Sequence, residues 1–125
     1  LEGVAFGIRH NLEVMAGEGV KPKRILVAGG GMRSELWMQI FADVCGVALE
    51  IPDQEHGACY GDAFLAAVGE GTFEALAQVR QWVKTRTVVR PDPEVHARYE
   101  PYYRIFRDLY EVNRPLMQRL DQFRL

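Results

Sequence analysis

The stretch ILVAGGGMRSELW constrains this chain more than any other: four apolar residues, Ile25 to Ala28, run straight into Gly29, Gly30 and Gly31, and a helical pattern begins just after. A short continuous apolar run suits a strand covered on both faces, as in a parallel sheet. Glycines at a strand-to-helix corner let the backbone adopt positive φ and approach a flat or bulky ligand closely. The helix that follows directs free amide N–H groups and about half a positive charge at the same spot. The corner therefore reads as an anion site; the alternative is a tight turn that needs only one of its glycines.

The surrounding pattern is mostly helical. Leu1, Val4, Ala5, Ile8, Leu12 and Met15 recur at intervals of three and four, which predicts an amphipathic helix from Leu1 to about Gly17. Ser34 is placed to cap a helix with Leu36, Ile40 and Val44 on one stripe, ending at Gly46. Val47 to Ile51 reads as a second strand closed by Pro52. In HGACYGDAFLAAVGEG, Ala58, Gly61, Leu65 and Val68 share a helical face that starts with small residues, and Thr72 to Trp82 continues as a helix. Asp92, Pro93 and Glu94 form a strong helix start, with Tyr99, Tyr102, Phe106, Leu109 and Tyr110 expected inside and Pro101 and Pro115 expected to kink or split the helix.

The order is helix, strand, helix, strand, helix and helical tail. Two strands alone would each be an unprotected edge. Either Thr85 to Val89 supplies a further strand, or the partner strands precede Leu1. The chain opens in mid-pattern without Met, which suggests a segment of something longer.

Bulk properties narrow the function classes. With 125 residues, 48% of them hydrophobic, the chain reads as a single domain, 1–125, with its own core. Fifteen Lys and Arg against seventeen Asp and Glu leave a formal charge of -2, so no excess positive field draws nucleic acid or an anionic membrane. No run approaches the roughly 18 apolar residues of a membrane span, and no leader opens the chain. Cys45 and Cys59 form no CxxC pair, which fits a reducing, cytoplasmic setting. His10, His56 and His96 lack metal-ligand spacing, and no metal site is expected. Cys59 and the tyrosines of the tail are expected to pack in the core.

Nucleotide-binding layouts compete for the glycines. A phosphate loop of the GxxxxGK[ST] type is excluded, because no Lys follows a glycine at the required spacing. A dinucleotide fingerprint would use Gly29 and Gly31, with Ser34 in the third place and Glu50 as the ribose-binding acid of an NAD(P)-dependent oxidoreductase. A non-catalytic reading is an interaction module whose open sheet edge recruits another chain, so that the fragment alone dimerises.

A third layout comes from resemblance. VAGGGMRSELWMQIFADVCGVALEIP followed by HGACYGDAFLAAVGEG resembles the C-terminal domain of the FGGY carbohydrate kinases, and looks most like their branch acting on xylulose. LEGVAFGIRHNLEVM and RPDPEVHARYEPYYRIFRDLY look like the same domain's flanking helices, so the likeness spans nearly the whole chain. It implies an α/β, ribonuclease H-like, actin-like ATPase fold, present here as its C-terminal portion with the upstream strands absent. It also implies ATP and Mg²⁺ as cofactors, a sugar such as a pentulose as substrate, and a catalytic aspartate and sugar pocket in the missing N-terminal part. Carried onto this chain, Gly29, Gly30 and Gly31 would meet the nucleotide, with Ser34 and Glu35 beside the base. Gln39 and Asp43 match the family pattern too, and are read as helix-surface hydrogen bonding. Asp62 stands where the family usually has alanine, and its carboxylate must reach solvent or a partner.

Overall fold

The three-and-four spacing of the first segment produces helix α1, Glu2–Gly17, in a computed structural model that describes residues 1–54 and 57–123. Its buried face is only partly the expected one: Ala5 is buried, as the spacing indicates, but together with Phe6 and Arg9, whereas Val4 and Ile8 are exposed. The stripe is turned toward the helices that α1 packs against, first of all a second helix that follows in the chain. That helix, α2, spans Glu35–Cys45; Ser34 Oγ accepts from the Trp37 N–H at 3.2 Å, and Gly46 ends it in the left-handed conformation, φ 67°. Both boundaries follow from local chemistry: a short oxygen at the N-cap satisfies an orphan amide, and only glycine closes a helix in that conformation cheaply.

The sheet is smaller than its sequence pattern suggests. Strand β1, Leu49–Pro52, pairs antiparallel with β2, Thr85–Val89, with Leu49 opposite Val89 and Ile51 opposite Thr87. The segment expected as a strand at Ile25 to Ala28 contributes a single parallel bridge, Leu26 to Glu50. It is held by Val27 N–H to Glu50 O at 3.0 Å and Glu50 N–H to Ile25 O at 2.8 Å. The order is therefore the Ile25 segment, β1, then β2, so the suspected further strand at Thr85 to Val89 is real. The Ile25 segment is short of partners on its far side, which leaves Leu26 exposed.

Helix α3, Gly57–Gly69, buries Phe64 rather than its small-residue face, and Leu65 stays exposed. Phe64 belongs to an aromatic cluster with Phe73 and Trp82, and Tyr60 donates its hydroxyl to Trp82 O at 3.2 Å. These aromatic contacts decide the orientation. The expected helix Thr72 to Trp82 is instead a 3₁₀ segment, Leu76–Gln81. Tighter winding lets Trp82 reach back to Phe64 and Phe73.

Helix α4, Pro93–Asp121, starts as the sequence indicates, with Asp92 accepting from the Glu94 and Val95 amides. It runs through Pro101 and Pro115 as one element, so neither proline splits it. Both prolines lie on the solvent side, so water can take the carbonyls that lose their amide partners, and the helix continues. Tyr103, not Tyr102, is the buried tyrosine.

Two cores result. Ala5, Phe6, Val44 and Tyr103 join α1, α2 and α4, with Ile40, Phe41, Tyr99 and Phe106 packed around them. Met32, Met38 and Ile51 join the glycine corner to the sheet, and Phe41 touches both clusters. Helix α2 is thus the central element, and its N-terminus sets the corner in place. No helix among the described residues is long and apolar enough to cross a membrane.

Candidate functional site

The glycines differ in what they are for. Gly29 has φ 96° and ψ 177° and caps a 3₁₀ turn, Gly30–Arg33. That region of backbone space is essentially restricted to glycine, so conformation alone explains the residue. Gly31 has an ordinary φ, but a Cβ there would stand 2.7 Å from Trp37 Cζ3, so close packing explains it. Gly30 has neither reason: its φ is unstrained and an added Cβ would meet nothing within 4 Å among the described residues. Its bare backbone faces open space.

Other elements converge on the same corner. A Cβ on Gly57, the first residue of α3, would lie 3.9 Å from the Gly29 amide nitrogen. The beginnings of α2 and α3 therefore both border the turn, and helix N-termini carry the partial positive charge that attracts anions. Gly57 was not singled out from sequence; the run of small residues opening that helix was the available signal. Ser34 uses its hydroxyl on the helix cap, and Glu35 is exposed in the first turn. Beside them opens a cleft of about 760 Å³, with Met32, Arg33, Glu35, Gln39, Arg86 and Thr87 in its walls. That volume lies within the range of small-ligand pockets. The glycines adjoin this cleft in sequence but do not line it. A second groove of about 1100 Å³, walled by Val4, Ile8, Phe106, Leu109 and Met117, lies between α1 and α4.

Residues weighed from sequence fall into structural roles. The Glu50 carboxylate accepts from Arg24 Nε and Nη2 at 2.8 and 2.6 Å and from Thr85 Oγ1 at 2.7 Å. The hydrogen bonds from Arg24 and then Thr85 pull its pKa down to about 2. Asp43 is buried and accepts from Gln39 Nε2 at 2.8 Å and from the Asp92 N–H at 2.7 Å, while Gln39 also donates to Arg90 O. These two residues tie the β2 to α4 connection to α2. Asp62 is exposed, which resolves the cost of its charge. His96 Nδ1 lies 2.7 Å from Asp43 O, His10 is exposed, and His56 lies outside the described residues. No group of three or more His, Cys, Asp or Glu side chains that could hold a metal ion occurs among the described residues. Cys59 is exposed rather than packed in the core; Cys45 is half-buried, and burial pushes its thiol up to about 11.

One cluster escaped sequence reasoning. Arg9 is buried, bonded to Glu13 at 3.1 Å and Glu100 at 2.5 Å, and sits 3.9 Å over the Tyr103 ring. The Tyr103 hydroxyl donates to Glu13 Oε2 at 2.7 Å. Burial, together with that hydrogen bond, raises the Tyr103 pKa to about 12. Hydrogen bonds from Arg9 and then Arg104 hold the Glu100 carboxyl below its ordinary range. No periodicity marks an arginine for burial, so only the packing reveals it.

The model of the FGGY family of carbohydrate kinases, C-terminal domain, matches residues 1–70. A xylulose kinase of Staphylococcus epidermidis is 31% identical over 117 residues, 93% of this chain and 24% of that protein. A ribulokinase of Mycolicibacterium smegmatis is 34% identical over 129 residues, covering 99% of this chain and 23% of its own length. The crystal structure of a xylulose kinase from Rhodospirillum rubrum superimposes with a TM-score of 0.76 at 33% identity, over 94% of this chain and 24% of that one. The chain spans about a quarter of the length of the relatives it matches.

Proposed function

Because the chain belongs to the FGGY family of carbohydrate kinases, we propose that the intact protein transfers the γ-phosphoryl group of ATP to a sugar hydroxyl. Residues 1–125, taken as one structural unit, contribute the nucleotide site. In this reading the Gly29, Gly30 and Gly31 backbone forms the wall on the phosphate and ribose side, and Ser34 and Glu35 flank the base. The observation that carries it is the open space over Gly30 at a corner bordered by two helix N-termini.

Phosphoryl transfer asks a protein mainly for positioning and charge stabilisation. Main-chain amides held by the Gly29 conformation and by α2 supply the positioning here. Mg²⁺, when bound, would neutralise charge on the phosphates; the described residues offer no cluster to hold it, so its ligands are assigned to other parts of the intact protein. The base and the sugar pocket are assigned there as well. The names of the relatives support a pentulose such as xylulose, or a related sugar or polyol, as acceptor. The dinucleotide reading has less support, because the acid it requires, Glu50, is already engaged by Arg24 and Thr85.

The test is Gly30→Val in the full-length enzyme. A side chain there fills the open space without straining the fold, so ATP affinity should fall and its KM rise while the sugar KM holds. Unchanged ATP binding would remove the glycine corner from the nucleotide site, and binding of NADH in place of ATP would favour the oxidoreductase.

A further inference from the structure

The packing of Gly31 leads to a residue outside the proposed contacts. The far ring of the Trp37 indole covers Gly31, with an added Cβ only 2.7 Å from Cζ3, 3.0 Å from Cε3 and 3.5 Å from Cη2. The same side chain packs on the Met32, Met38 and Ile51 cluster and on Phe41, ring centroids 5.4 Å apart. Its main-chain N–H donates to Ser34 Oγ, and the Ser34 N–H donates to Gly31 O at 3.1 Å. The glycine turn and the first turn of α2 are thus joined by side chain and by backbone.

Trp37 Nε1 is buried and has no acceptor among the described residues. A buried unpaired N–H costs stability, a cost that a phenyl ring in this place would not carry. What the indole adds is reach, since Cζ3 and Cη2 extend to the glycine where a phenyl ring stops short. We propose that Trp37 is a positioning residue for the nucleotide: without touching the ligand, it holds the Gly30 and Gly31 backbone at the distance from α2 at which ATP meets it. The proposal rests on the reading of Gly30 as the ATP contact.

The experiment uses the full-length enzyme with four variants: Trp37→Phe, Gly31→Ala, the double substitution, and Gly30→Val. Trp37→Phe should raise the ATP KM about fivefold or more, since misplacements near 1 Å can cost up to ~100-fold. The affinity for a non-hydrolysable ATP analogue should fall in parallel, with the sugar KM unchanged. Gly31→Ala should push the indole away and give the same selective defect. In the double variant the smaller ring makes room for the methyl group, so the two effects should be less than additive. If Trp37→Phe leaves ATP binding intact while Gly30→Val weakens it, the positioning role falls and the nucleotide reading stands. If neither variant affects ATP, both fall. A rise in both KM values with a lowered melting temperature would make Trp37 a structural residue only and overturn the proposal.

Discussion

Replacing Arg9 by Met tests whether the buried cation is a stabilising element or a tolerated one. Its side chain is 10% exposed, while its partners Glu13 and Glu100 are 41% and 37% exposed. Removing the guanidinium therefore leaves two carboxylates that water can still reach. The loss should lie below the roughly 3–5 kcal/mol of breaking a sealed ion pair and above the roughly 0.2–1 kcal/mol of an exposed one. The contact over the Tyr103 ring adds about 0.5–1 kcal/mol, and Met retains the packing of the aliphatic stem. We expect Arg9→Met to cost about 2–3 kcal/mol in all. Urea denaturation of the intact protein, followed by circular dichroism, measures this directly. Because the cluster is partly dry, the difference should persist in 1 M NaCl, where a surface pair would be screened. A loss near zero, or one that vanishes in salt, would refute the assignment of Arg9 as the tie between α1 and α4.

Further perturbations address the corner's supports. Asp43→Ala strands the Asp92 amide and one Gln39 donor, and should cost about 1–3 kcal/mol. Faster hydrogen exchange at residues 92–96 would locate that loss at the start of α4, and protection equal to wild type would contradict it. Glu50 has a lowered folded-state pKa, about 2 against an ordinary 4.5, so its contribution is present above pH 4.5 and disappears as pH falls toward 2. Thermal melts of wild type and Glu50→Gln should accordingly converge across that window; a constant gap between them would show that Arg24 and Thr85 do not favour the ionised carboxylate.

The elements legible in the sequence were those written in local backbone chemistry. The Ser34 cap, the left-handed Gly46 end and the Asp92 and Pro93 start each depend on a few consecutive residues, whereas the strand at Thr85 to Val89 was one of two alternatives raised by the need to protect sheet edges. The motif resemblance extended this to the actin-like α/β domain of the FGGY kinases, which the family match and the structural superposition bear out. Where local rules failed, a distant contact had overridden them. Within the expected helix Thr72 to Trp82 only Leu76–Gln81 is helical, wound as 3₁₀ beside an aromatic cluster, and α4 passes through two prolines because its solvent side tolerates the freed carbonyls.

From sequence alone came the existence of a bare backbone corner between a β-segment and a helix, because glycine's missing Cβ is a property of the residue itself. Which glycine is free of conformational and packing demands was decided by the tertiary structure. Positive φ accounts for Gly29 and the Trp37 ring for Gly31, and only three-dimensional packing separates those demands from the space over Gly30. The same holds for the burial of Arg9, whose partner Glu100 lies 91 residues away along the chain. Periodicity reports which face of an element is apolar; it carries no information on which distant side chain will neutralise a charge that folding draws inside.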